Sequence, residues 1–117
     1  MKYLGKLFGY FPKGDIDQAH ADALMSFVTD FVAEGRLVFH ARCFTESYYT
    51  QKEETQPNID WFKKDRLTRF LPYLEHVLVF NQKANPNGYF IGESLTYVDI
   101  AVWHTIEATA SQFPETY

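Results

Sequence analysis

The stretch ESLTYVDIAVW, residues 93 to 103, constrains this chain more than any other. It sets a hydroxyl and a carboxylate three residues apart, Thr96 and Asp99, at the head of an almost unbroken apolar run. With Thr96 at the N-cap, Asp99 falls on the third helical position. The hydroxyl can then accept from the amide of Asp99 while the carboxylate accepts from the amide of Thr96, the reciprocal logic of a capping box. Leu95 and Ile100 occupy the two positions where an apolar staple fixes the angle at which the chain joins the helix. The next face, Ala101, Val102, Trp103 and Ile106, is so apolar that the helix is expected in an interior. There the first amides of a helix lose water without replacement, so side chains that accept from them matter more than in an exposed helix.

Helical spacing recurs along the rest of the chain. Leu4, Leu7 and Phe8 suggest a short helix within residues 2 to 11, closed by Gly9, Pro12 and Gly14. From Asp17 the pattern lengthens: Leu24, Phe27, Val28, Phe31 and Val32 repeat at three and four residues, and the stripe carries on through Gly35, Val38, Phe39 and Cys43. This predicts the longest helix. Residues 46 to 60, ESYYTQKEETQPNID, are polar and include Pro57, so a loop is expected there, with Asp60 as a cap for the next helix. Leu67, Phe70, Leu71, Leu74, Val77 and Leu78 then predict a helix from Trp61 to about Asn81. Pro72 lacks a backbone donor and disfavours a helix interior by about 3 kcal/mol, which predicts a kink near Leu71. NQKANPNGYF, residues 81 to 90, reads as a turn. With no internal repeat and no convincing alternation of strand type, the expected fold class is all-α, a helical bundle.

Length and charge exclude several functions. A chain of 117 residues is one domain in size, and 46% hydrophobic with 18% aromatic residues is the composition of a packed globule. A net charge of -4 argues against nucleic acid and anionic lipid as partners. Cys43 is the single cysteine, so no internal disulfide can form, and the cytoplasm is the expected compartment. The N-terminal MKYLGKLFGYF is broken by Lys6 and lacks a cleavage pattern, unlike a signal peptide. No segment approaches the roughly 18 apolar residues of a membrane span, so no membrane partner is expected.

The run GYFIGESLTYVDIAVW resembles the C-terminal helical domain of cytosolic glutathione S-transferases, in which a glycine, a short linker, Ser/Thr-x-x-Asp and an apolar helix form a buried cap. The likeness extends back through RFLPYLEHVLVFNQKANPN, a proline-containing helix followed by an Asn/Gly turn. It also covers KYLGKLFGYFPKGDIDQAHADAL, which looks like the end of a thioredoxin-like domain and its linker. The order of motifs is most similar to the sigma, mu, alpha and pi types. The resemblance implies that residues 1–14 are the end of the thioredoxin-like domain plus linker, and that residues 15–117 are the helical domain, incomplete at its C-terminus.

In that family the catalytic Tyr, Ser or Cys lies in the thioredoxin-like domain, so the resemblance assigns no catalytic residue here. It implies no cofactor, with glutathione as substrate of an intact enzyme, hydrophobic electrophiles as the second substrate class, and a homodimer or partner protein. An isolated helical domain should bind glutathione weakly and conjugate little or nothing.

Glu34 corresponds to the family's acidic residue that reaches across a dimer interface to the amino group of glutathione, a task suited to a carboxylate. Its alternative is a solvated helix charge paired with Arg36 or another neighbour. Arg36, His40 and Phe44, spaced i, i+4 and i+8, are the corresponding candidates for the electrophile pocket. The alternative leaves Phe44 in the core and the other two in water. His40 with Cys43 and His104 with Glu107 are pairs too small for a zinc site, so no metal is expected. KKDRLTR, residues 63 to 69, fits one solvated helix face, and Cys43 on the apolar stripe suggests a core thiol with a raised pKa. From another class comes a noncatalytic reading, a helical module for protein–protein assembly.

Overall fold

The computed structural model describes residues 1–116, and among them it is all-α, with no strand. Five α-helices follow one another: α1 Lys2–Phe8, α2 Asp15–Val38, α3 Lys52–Trp61, α4 Thr68–Ala84 and α5 Tyr97–Gln112. A π-helical segment, Phe62–Leu67, joins α3 to α4, and 3₁₀ turns lie at Tyr48–Thr50 and Pro114–Thr116. No helix among the described residues is long and apolar enough to cross a membrane.

The chain divides into two compact units, one of residues Met1–Val28 with those from Leu74 onward, the other of Thr29–Tyr73. The core of the first unit contains Ala21, Leu24, Leu74, Ile91, Val98 and Val102. α1 approaches the start of α5 through Gly5, where a Cβ would stand 2.9 Å from Cδ1 of Tyr97. Only a glycine admits that approach. The amide of Tyr97 donates to the carbonyl of Tyr10 at 2.9 Å, so one amide of the first turn of α5 is satisfied by the chain leaving α1. Gly92 has φ of 62°, a left-handed backbone that favours glycine, and a Cβ there would press on Asp17 Oδ2 at 3.0 Å.

In the second unit, Phe31, Ile59, Phe62, Leu67 and Phe70 are buried, and the rings of Phe31 and Phe70 stack at 4.5 Å between centroids.

Four local expectations are corrected. First, α2 stops at Val38 and does not continue to Cys43. No glycine or proline marks the stop; the amides of Phe39 and His40 tighten onto the carbonyls of Arg36 and Leu37, and the chain beyond is held by Gln51, which is wholly buried. Its Oε1 accepts from the amides of Arg42 (2.9 Å) and Cys43 (3.1 Å), and its Nε2 donates to the carbonyl of Cys43 at 2.7 Å. Those amides would otherwise continue the helical ladder.

Second, the stretch expected as a loop holds α3, which contains Pro57. Glu53 and Glu54 favour its first turn, and Thr55 and Ile59 are buried along it. Asp60 is inside this helix and accepts from Gln56 at 2.9 Å. Third, the irregularity expected at Leu71 lies earlier, in the π segment, while Pro72 is accommodated one turn into α4. Fourth, Ala101 and Val102 are buried on α5, but Trp103 is 63% exposed. With Leu95 and Ile100, both partly exposed, Trp103 lines an apolar groove of about 580 Å³.

Candidate functional site

The start of α5 is a buried polar network centred on one carboxylate. Asp99 Oδ2 accepts from the amide and the hydroxyl of Thr96 at 2.7 and 2.9 Å, and Oδ1 accepts from the amide of Phe90 at 2.7 Å. Thr96 is the N-cap residue, in extended backbone conformation. Both residues are buried, so the network closes off an interior helix start and ties it to the preceding loop. The carboxylate's hydrogen bonds all come from this chain's own backbone and one hydroxyl, a structural arrangement at one wall of the groove beside Trp103.

A second carboxylate has a different setting. In the unit Thr29–Tyr73, a cleft of about 350 Å³ is lined by Glu34, Leu37 and Val38 from α2, Trp61 from α3, and Phe62 and Arg66 from the π segment, with Asn58 beside them. Its walls are mainly apolar, and the Trp61 side of it is open, the residue being 53% exposed. At one wall Arg66 grips Glu34 in a two-pronged ion pair, Nε to Oε2 at 2.6 Å and Nη2 to Oε1 at 2.7 Å.

The Arg66 side chain is 26% exposed and that of Glu34 is 38% exposed, so the pair is partly screened from water yet reachable from the cleft. The Arg66 guanidinium carbon lies 4.7 Å from the centroid of Phe70, which backs one face of the group. Hydrogen bonding to Glu34 raises the Arg66 pKa above its ordinary value, so the group is a fixed cation. The π segment matters here: its wider turn buries Phe62 and Leu67 while leaving Arg66, between them in sequence, at the cleft wall.

The other site candidates are not gathered in this cleft. Arg36 is exposed near the end of α2, and His40 and Phe44 lie beyond that helix, so the single face that their spacing implied is not formed. His40 Nδ1 sits 3.0 Å from the carbonyl of Glu46, and Phe44 is 71% exposed on the loop organised by Gln51. The physical reason is the early end of α2, after which i, i+4 spacing no longer describes a common face.

Cys43 is likewise no core thiol. It is half-buried in the same loop, with Sγ 3.1 Å from Thr45 Oγ1, and hydrogen bonds from the hydroxyl and amide of Thr45 hold its pKa below the ordinary thiol value. Neither cysteine nor histidine pairs with the other. Arg42 closes this loop on the outside through ion pairs with Glu46 and with Glu54, the latter at 3.2 Å. No group of three or more metal-ligating side chains converges among the described residues.

Three residues that shape this unit escape sequence reasoning. Arg66 belongs to the run expected as a solvated face, and its partner stands 32 residues away, beyond any local period. Trp61 is an ordinary first residue of an expected helix. Gln51 sits in an expected loop and carries no signal of burial.

Comparison with known proteins identifies the family of the chain. The family model described as "Glutathione S-transferase, C-terminal domain" matches residues 39–117. A glutathione S-transferase of Plasmodium yoelii yoelii is 27% identical over 114 residues, covering 97% of this chain and 46% of that protein. A probable glutathione S-transferase 9 of Caenorhabditis elegans is 26% identical over 103 residues, covering 87% of this chain and 45% of the relative. Glutathione S-transferase 1 of Ascaris suum is 26% identical over 114 residues, with 97% and 51% covered. The chain thus spans about half the length of the curated relatives it matches. No solved structure matches.

Proposed function

The chain belongs to the glutathione S-transferase family, as a C-terminal domain of that family, and on that premise we propose that it is the helical part of a glutathione-conjugating protein, supplying an apolar wall for the electrophile and a surface for a second subunit. The observation that carries this reading is the placing of Glu34. Resemblance assigns its carboxylate to the amino group of a glutathione molecule held by the neighbouring subunit, and in the structure the same carboxylate lines an open, mainly apolar cleft. A carboxylate buried in a core would have no such use.

The family resemblance assigns the thiol-activating step to a thioredoxin-like domain, and the described residues, all helical, are assigned none of it. This domain contributes binding and shape. Arg36, His40 and Phe44 remain the proposed contacts for an electrophile, approached from the loop after α2 and not from one helical face. The expected compartment is the cytoplasm, and the expected assembly is a homodimer or a complex with a partner protein.

The test is a conjugation assay with a chromogenic electrophile, first on these 117 residues and then on the same residues joined to a glutathione-binding domain of a relative. Turnover should appear only in the joined protein. Robust turnover by the helical domain alone would place the chemistry in residues to which no such role is assigned.

A second reading, a noncatalytic assembly module, is favoured by α1, where Tyr3, Leu4, Leu7 and Phe8 are all exposed. It predicts a stable complex in solution and no glutathione-dependent activity in the joined protein either. Mass measurement by light scattering, together with that assay, separates the two.

A further inference from the structure

We infer that the apolar groove beside Trp103 binds a small organic cation of the quaternary ammonium class, its head against the aromatic walls and its apolar tail along the groove. Glu34 and its cleft have no part in this.

The groove, of about 580 Å³, lies wholly within the unit that contains α5. That is the size of a pocket for a small molecule. On one side α5 presents Asp99, Ile100 and Trp103, neighbours within about one turn of the same helix face. On the other is the loop of Gly88, Tyr89 and Phe90, which is held in place by its own chain. The amide of Phe90 donates to Asp99 at 2.7 Å, Asn81 Nδ2 donates to the carbonyl of Tyr89 at 2.9 Å, and the amide of Gly88 donates to Gln82 Oε1 at 3.0 Å. Three aromatic residues thus border one cavity whose shape is set before a ligand arrives, and Leu78 and Ile106 extend its apolar wall.

Charge decides the ligand class. Asp99 is the only charged side chain among the described residues that line the groove, and it is 8% exposed. Its three hydrogen bonds come from two amides and a hydroxyl, all neutral, and no cation among the described residues pairs with it. A buried carboxylate without a counter-charge favours a cation beside it and opposes an anion. Trp103, Tyr89 and Phe90 favour the same sign, since the face of an aromatic ring is its negative part. The net charge of -4 on the chain adds to the attraction.

The same three bonds disfavour an ammonium that carries hydrogens. A carboxylate has about four lone-pair positions, and the helix cap takes two on Oδ2 and one on Oδ1. A primary ammonium brings three N–H donors, and those left unbonded against an apolar wall lose water without replacement. A quaternary ammonium has no donor to satisfy. It is held by the charge and the ring faces alone, and its methyl groups suit an apolar surface. A tail then covers the rest of the groove along Leu95 and Ile100.

The experiment follows the indole N–H resonances of the 117-residue chain by NMR, that of Trp103 identified as the one missing from Trp103→Phe. The probes, each below its aggregation concentration, are octyltrimethylammonium, octylammonium, 1-octanol and octyl sulfate, which share a tail and differ at the head. Trp103 should shift saturably with octyltrimethylammonium, about ten-fold more tightly than with octanol or octylammonium, and octyl sulfate should bind weakest. The resonance of Trp61 should stay in place. Trp103→Leu keeps an apolar wall without the ring, and Asp99→Asn keeps the shape without the charge. Each should bring the affinities of the trimethylammonium probe and the alcohol together, read in the leucine variant from the terminal methyl resonance of the probe.

Equal affinity of the unaltered chain for the alcohol and the trimethylammonium probe would make the groove merely apolar, and tighter binding of the sulfate would reverse its charge preference; either overturns the inference. So does movement of both indoles with one midpoint, which marks unspecific association, or a response that never saturates, or a preference for the cation that survives Trp103→Leu. Trp103 is exposed, so its replacement leaves the core intact, and the ranking of the four probes on the unaltered chain needs no variant to fold.

Discussion

Asp99 and Glu34 are both carboxylates held by several short hydrogen bonds, but their partners come from opposite kinds of distance. Asp99 draws on Thr96 and Phe90, three and nine residues away, and is buried among them. Glu34 draws on Arg66, 32 residues away, and stays open to a cleft. The first arrangement uses its acceptors to make a helix start inside a core. The second keeps acceptors in reserve at a surface where a ligand can arrive. The difference teaches that a carboxylate's role follows from who satisfies it: local amides make it a structural part, and a distant side chain at an open wall makes it available for recognition.

Removing each carboxylate is the sharpest way to break that comparison. Asp99→Ala strands the buried amide and hydroxyl of Thr96 and the part-buried amide of Phe90, and should lower stability by about 3 kcal/mol in denaturant unfolding. Glu34→Gln should change stability by a small fraction of that and fall mainly on glutathione binding. Equal losses of stability in the two variants would erase the distinction.

Next in size is Gly5→Ala. Its Cβ would meet the ring of Tyr97 at 2.9 Å, and overpacking of this kind should destabilise by about 2 kcal/mol, read as a lowered thermal midpoint. Thr96→Ala keeps the carboxylate but loses the hydroxyl, so a loss of about 1 kcal/mol is expected, well below that of Asp99→Ala. A loss as large as that of Asp99→Ala would mean the hydroxyl, and not the carboxylate, holds the helix start.

In the other unit, Gly35 lies inside α2 with an ordinary backbone, and a methyl there would reach Phe62 only at an ordinary 3.5 Å. Gly35→Ala should therefore stabilise, by about 0.5–1 kcal/mol, in contrast to Gly5→Ala. The smallest effect is on reactivity. Cys43 should alkylate with a midpoint below that of an ordinary thiol, because Thr45 stabilises the thiolate, and Thr45→Val should move the midpoint upward. An unchanged midpoint would show that the loop does not hold the two together in solution.

The readable part of the molecule is the part written in short separations. The positions of Thr96 and Asp99 locate the beginning of α5, since both lie within one turn of the boundary they mark. The three- and four-residue recurrence from Leu24 to Val32 locates most of α2 for the same reason. The end of α2 is not readable, because no stop residue marks it and the chain just beyond it is held by Gln51, eight and nine residues further along. α3 escapes a reading of the sequence because its polarity and Pro57 resemble a loop, while its buried residues, Thr55 and Ile59, are too few to form a visible stripe. Of the candidate site, Glu34 is legible through the family resemblance and its partner is not.

The sequence by itself determined the all-helical class, the family, and a helix start whose donors and acceptors are neighbours along the chain. Only the tertiary structure decided that Glu34 faces Arg66, that a π turn leaves that arginine at an apolar cleft, and that the loop after α2 scatters Arg36, His40 and Phe44. The reason is that capping and periodicity act between residues the backbone already holds close, whereas an ion pair across 32 residues forms only when the packing of Phe31, Phe62 and Phe70 brings two separate segments together.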